Sequence, residues 1–242
     1  MLSKTKAIFL HTIKYSETSV VAYCFTEQYG RISFLIPGVR KRNARIRMNL
    51  LQPLQINEID FYYKEKHGLM RIKELRSLHL ADQIIFDTQK STVALFLAEI
   101  LYKTMKEEVK NESLYAFVEE WIRGLDQHSS SFPAFYCRFL LDYAQFLGFY
   151  PNIEKWEDSG YFDLKNGIFR TLCPNHEFFI TGKELDHMKN LLISDVEEIY
   201  SMHIPNQVRD ALLNRIMDYY LLHNEGLTGF KSLAVLREVF HS

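Results

Sequence analysis

Six cationic side chains share one short stretch of this chain with no carboxylate among them. Between Gln28 and Asn57 there is no Asp or Glu, while Arg31, Arg40, Lys41, Arg42, Arg45 and Arg47 all fall inside it. The chemistry such a cluster offers is anion binding. Guanidinium and ammonium groups donate charge-assisted hydrogen bonds to phosphate oxygens, and each neutralised phosphate of a nucleic acid releases condensed counterions. The whole chain has a formal net charge of -1, so the cluster is a local device and not a reflection of a basic protein. A nucleic-acid backbone is the partner it predicts. The plainer reading is a solvated loop.

Other chemistry is sought in vain. Gly229-Phe-Lys-Ser232 matches only the end of a phosphate-binding P-loop. His176-Glu177 opens a zinc-protease helix motif, but its second histidine would fall on Ile180. There is no Gly-x-Ser-x-Gly elbow, and the nine histidines lie outside any carboxylate pattern that would make a base. A non-catalytic protein is expected. Cys173-Pro-Asn-His176 has the spacing of half a zinc knuckle, yet Ile153 to Tyr161 adds neither Cys nor His to complete four ligands. A buried Cys173 and a surface His176 are therefore expected, with no metal and no cofactor.

The elements that position the cations read as strands. Alternating runs at Ala7–Ile13, Val20–Phe25 and Ile32–Ile36, a run from Leu51 to Tyr63 that changes apolar phase near Glu58, and a last one reaching about Leu80 make five. The phase change predicts a bulge. Five strands in residues 1–80, with a long basic loop after the third, predict an OB-type β-barrel, an SH3-like barrel being the alternative. A mobile cationic loop on such a barrel would follow phosphates without reading bases. Of the aromatics that could stack on bases, alternation turns Phe34 inward and makes Tyr29 and Tyr63 ordinary barrel residues, which leaves Tyr15.

From about Asp82 the period becomes helical. Val93, Phe96, Leu97, Ile100 and Leu101 form one stripe, Leu114, Val118, Trp121, Ile122 and Leu125 another, and Phe135, Phe139, Leu140 and Tyr143 a third ending before Gly148 and Pro151. Residues 152–181 read as a small irregular insert with a hairpin turn at Asn166-Gly167, and helices resume after Gly182 and Pro205. The fold class is thus α+β with two domains, 1–80 and 81–242. Residues 1–80 hold fourteen Lys/Arg against six Asp/Glu; the remainder, by subtraction from 29 and 30, holds fifteen against twenty-four. Three widely spaced cysteines imply no disulfide framework. With no long apolar run and no signal-type segment, a cytoplasmic protein without membrane contact is expected.

His11-Thr-Ile-Lys-Tyr-Ser-Glu-Thr-Ser19, Phe25-Thr-Glu-Gln-Tyr-Gly-Arg31, Pro37-Gly-Val-Arg-Lys41, Arg138-Phe-Leu-Leu141, Leu147-Gly-Phe-Tyr-Pro151 and Phe230-Lys-Ser232, in that order, resemble the bacterial recombination mediators of the RecO family. The resemblance implies an N-terminal OB domain that binds single- and double-stranded DNA, joined to a helical domain. It implies annealing of complementary strands, association with RecR, with RecF as a further partner, and binding of the acidic C-terminal tail of the single-strand binding protein (SSB) in loading the RecA recombinase. Nucleoid association follows. Many such proteins carry a four-Cys zinc module after the Leu-Gly-Tyr-Pro-like element; here Trp156 and Ser159 stand where its first pair would, so zinc is expected to be lost and the insert held by Trp156, Tyr161, Phe162 and Phe169. Arg138, in a Phe- and Leu-rich helix, is the candidate for the SSB tail, pairing with Asp142 at i+4 being its structural alternative. The competing functional reading is a protein adaptor whose basic loop grips an acidic partner without DNA.

Overall fold

The computed structural model describes residues 1–64, 68–79, 81–105, 109–128, 132–154, 156 and 158–241. The chain divides into two compact units, Met1–Gln127 and His128–Ser242. In the first, β1 (Leu2–Lys14), β2 (Val20–Thr26), β3 (Gly30–Ile36), β4 (Ile56–Tyr62) and β5 (Met70–Ser77) close into a barrel in the order β1-β2-β3-β5-β4. The neighbours are antiparallel except β3 and β5, which run parallel with Phe34 opposite Met70 and Leu35 opposite Arg71. This is the OB-type barrel that the five alternating runs predict.

One parity of each strand fills the interior: Ala7, Phe9, Val20, Ala22, Cys24, Ile32, Phe34, Ile36, Ile59 and Phe61 form its core. The other parity of β1 and β2 is apolar too, with Ile8, Val21 and Phe25 buried. A strand apolar on both faces has to be covered on both. That is why helices α1 (Thr88–Thr104) and α2 (Glu112–Gln127) join the barrel in one compact unit, although the change of period falls near residue 80. Phe25 meets Tyr115 of α2 at 5.5 Å between ring centroids, and Tyr23 meets Tyr102 of α1 at 5.0 Å. The Asp87 carboxylate starts α1 by accepting the Gln89 and Lys90 backbone N–H groups at 2.8 and 3.0 Å.

Two expectations for the barrel need correction. The bulge is not in β4, which pairs with β1 without interruption from Tyr62 opposite Leu2 to Ile56 opposite Ile8. The extra residue is on its partner: Asp60 faces Glu74 and Phe61 faces Ile72, so Lys73 is left over in β5. Leu10 is left over in β1 in the same way. The run from Leu51 also is not strand at its start. A 3-10 turn, Met48–Leu51, leads to Leu54 at φ 61, and both leucines are buried as loop anchors; burial, which any geometry can satisfy, had the signature of a strand.

The second unit comprises α3 (Phe132–Tyr143), the strands β6 (Tyr161–Asp163), β7 (Ile168–Arg170) and β8 (Phe179–Thr181), then α4 (Gly182–Ile193), α5 (Val196–Ile199), α6 (Asn206–His223) and α7 (Ser232–His241). The expected hairpin exists, and β8 adds a third strand in the order β7-β6-β8. Gly167 turns it at φ 67, where a Cβ would stand 2.7 Å from the Tyr219 hydroxyl, so only glycine fits. Phe162 packs on Phe169 and Tyr219 at 4.8 and 5.5 Å. Buried Asp163 organises the turn, accepting the Lys165 and Asn166 N–H groups and the Asn166 side chain, and pairing with Arg170 and His176. Burial pushes its carboxyl upward, but the Asn166 hydrogen bonds and the His176 charge prevail and hold it below the ordinary value. The expectation for Cys173 and His176 is reversed: Cys173 is exposed, and His176 is drawn inward, its Nε2 3.3 Å from Asp163. A buried carboxylate recruits a cationic partner. No helix among the described residues is long and apolar enough to cross a membrane.

Candidate nucleic-acid interface

Five of the six clustered cations lie on the connection between β3 and β4, and its sequence explains its shape. Val39 and Leu51 are buried and Ile46 half-buried, all packed on the barrel interior. Arg40, Lys41, Arg42, Arg45 and Arg47, between these anchors, are exposed. Turns follow one another, from Lys41 N–H to Gly38 O at 3.1 Å, Ala44 N–H to Lys41 O at 3.2 Å and Leu50 N–H to Arg47 O at 3.1 Å, and the Asn57 amide donates to Leu50 O at 2.6 Å. The loop expected to be mobile is therefore pinned by apolar plugs and backbone bonds. Among the described residues none of the five makes a salt bridge.

The Arg40 N–H donates to Thr18 O at 3.2 Å, which ties the basic loop to the β1–β2 turn. Tyr15 stands on that turn, 61% exposed, with Glu17 as its acid. Phe34 is inside the barrel, and Tyr29 packs on Phe61 and Tyr63 at 5.4 and 4.9 Å, as alternation required. Tyr15 thus keeps its place as an available ring.

Arg31 leaves the set. Its guanidinium donates to the Tyr102 and Met105 carbonyls at 3.1 and 2.7 Å, where α1 ends. It also lies over the Tyr23 and Tyr102 rings, 5.5 and 4.7 Å from their centroids. A cation on the last carbonyls of a helix meets the negative end of its dipole. Arg31→Ala is expected to lower unfolding free energy by about 2–3 kcal/mol in urea titrations, through the lost charged hydrogen bonds and ring contact. Single-strand affinity of the folded variant should stay within about twofold, because no phosphate contact is removed.

Sequence reasoning missed Arg71 and Lys73 of β5, both exposed and without a salt bridge among the described residues. Cross-strand register, which the sequence does not display, brings β5 next to the loop. The Glu74 carboxyl is held below its ordinary value first by the Arg76 hydrogen bond and charge, with Arg45 of the loop and Lys73 adding to the effect.

In the second unit Arg138 repeats the Arg31 arrangement. Its Nε donates to Asp142 at 2.7 Å, and Nη1 donates to the Ser194 carbonyl at 2.7 Å and to the Leu191 carbonyl, at the end of α4. The pairing with Asp142 is thus present, and the fork that an incoming carboxylate would need is mostly spent.

Two family models match in tandem: Recombination protein O N terminal over residues 1–81, and Recombination protein O C terminal over residues 85–234. The chain belongs to the RecO family. The DNA repair protein RecO of Phocaeicola vulgatus is 36% identical over 240 residues, covering 99% of this chain and 100% of that protein. Those of Bacteroides fragilis and Flavobacterium johnsoniae are 36% and 34% identical over 241 and 246 residues, with the same coverage. The OB barrel and the helical region of this RecO-family chain correspond to the two matched segments. Of the chain's three cysteines Cys173 is the one near β6 to β8, where His176 pairs with Asp163 and Phe162 packs on Phe169 and Tyr219. Among the described residues no three His, Cys, Asp or Glu side chains converge as a metal site would require.

Proposed function

We propose that this RecO-family protein is a non-catalytic recombination mediator that holds single- and double-stranded DNA by its phosphates and anneals complementary strands without cofactor or zinc. The observation that carries this reading is the row of five exposed, unpaired cations on a loop pinned to the barrel. Two DNA strands repel each other, and a shared cationic surface lowers that repulsion while leaving the bases free to pair. Binding is accordingly weakly sequence-specific. The partners that follow are RecR, with RecF as a further one, and the acidic SSB tail at the helical unit, in loading RecA in the cytoplasm at the nucleoid. Arg138 offers that tail one Nη2 edge.

The test is annealing of complementary strands coated with the cognate SSB. This protein should accelerate annealing, and deleting the SSB tail should remove most of the acceleration on coated strands while leaving bare strands unaffected. No acceleration with either substrate would overturn the mediator reading and favour a protein adaptor.

A further inference from the structure

Register places an aromatic ring and a cation side by side on the outer face of the barrel. Tyr62 of β4 is opposite Arg71 of β5 and opposite Leu2 of β1, while Arg71 is opposite Leu35 of β3. One row of outward side chains, Leu2-Tyr62-Arg71-Leu35, therefore crosses four strands. Directly opposed residues in antiparallel strands share a face with Cβ atoms about 5 Å apart. Tyr62 is 49% exposed and Leu2 48%. Lys73, the extra residue of the β5 bulge, is exposed beside this row.

On the rest of this face the cations are spent, and Asp60, opposite both Lys4 and Glu74, adds a carboxylate without a salt bridge among the described residues. Glu58 pairs with Lys4 at 2.7 Å and Arg76 at 3.8 Å, and Arg76 pairs with Glu74 at 3.0 Å. Polyanion has nothing to gain there. Among the described residues the free positive charge of this face lies at Arg71 and Lys73: Arg71 stands opposite Leu35, one residue before β3 ends and the basic loop begins, and Lys73 acts with loop residue Arg45 on Glu74. A ring flanked by unpaired cations is the arrangement that receives unpaired nucleotides: the ring stacks on a base, and the cations follow the phosphates.

We propose that single-stranded DNA continues from the basic loop onto the β4–β5 face, where Tyr62 stacks on a base and Arg71 and Lys73 hold the flanking phosphates. This rests on the DNA-binding reading above and gives it a direction and a preference. The loop contacts phosphates of any strand, whereas Tyr62 needs a base that is not paired.

Fluorescence anisotropy with single- and double-stranded oligonucleotides tests it. Tyr62→Ala should weaken single-strand binding by about 5- to 150-fold, the range for one lost base stack, with double-strand binding unchanged, and Tyr62→Phe should retain affinity. Arg71→Ala with Lys73→Ala should reduce the log-log salt slope for a single strand by about 1.4, at about 0.7 per contact. If Tyr62→Ala leaves single-strand affinity unchanged and the double variant leaves the slope unchanged, while changes in the basic loop still abolish binding, the β4–β5 track is overturned and the loop reading stands. If loop changes are silent and Tyr62→Ala is not, the track stands and the loop reading fails. Loss of both duplex and single-strand binding on Tyr62→Ala, with the fold intact by circular dichroism, would also overturn the stacking role.

Discussion

Changing Arg40, Lys41 and Arg42 together to Glu is expected to weaken single-strand binding by at least about 100-fold at about 0.1 M salt. The figure follows from counterion release. Each phosphate contact to a single strand contributes about 0.7 to the log-log slope, so at about 0.1 M it is worth about 0.7 log units relative to 1 M, and three contacts about two log units. Reversal adds repulsion beyond simple loss. The five loop contacts should contribute about -3.5 to the measured slope, and replacing the same three residues by Ala should cut that share to about -1.4. All three side chains are exposed and unpaired among the described residues, whereas the anchors Val39, Ile46 and Leu51 are untouched. Thermal stability should therefore hold. Affinity and annealing that survive the reversal would remove the loop from the interface.

The second large effect belongs to the helical unit. Arg138→Ala should lower unfolding free energy by about 2–3 kcal/mol near neutral pH, because it strands a half-buried carboxylate and uncaps α4. Desolvation already raises the Asp142 carboxyl above its ordinary value of 3.8, against the lowering charge and hydrogen bond of Arg138. Without Arg138 it rises further. Between 3.8 and the new folded value the native state then binds more protons than the unfolded state, so the variant loses stability as pH rises through that window. The deficit should be largest near neutral pH and shrink on acidification toward about pH 4, a profile that simple loss of packing would not give. Arg138→Met combined with Asp142→Leu should recover most of the stability, since an apolar pair carries no desolvation penalty. Chemical denaturation across pH measures all three.

The sequence spoke clearly where one chain segment suffices. The inside of the barrel was legible because Val20, Ala22 and Cys24, then Ile32, Phe34 and Ile36, alternate. The helical stripes and the turn at Gly167 were legible for the same reason. Arg31 and Arg138 were read as surface cations because their acceptors are 71 to 74 and 53 to 56 residues away, which no local pattern reports. Sequence distance also hid Tyr62 beside Arg71 and the bulge at Lys73, since register is a property of two strands. Strand β8 was missed because three residues, Phe179–Thr181, are too few to show a period. Leu51 and Leu54 misled in the opposite direction, their burial imitating a strand.

The apolar plugs of the basic loop have a consequence for the thermodynamic character of DNA binding. Val39 and Leu51 are already withdrawn from water in the free protein, and Ile46 partly so, so the conformational entropy of the loop backbone is lost largely when the barrel folds and not when a strand arrives. The anchors have little apolar area left to bury when a strand arrives, so their share of the heat-capacity change on binding should be small. What drives the loop's part of binding is the mixing entropy of ions returned to bulk solvent, a quantity set by the surrounding electrolyte and nearly indifferent to which bases the strand carries.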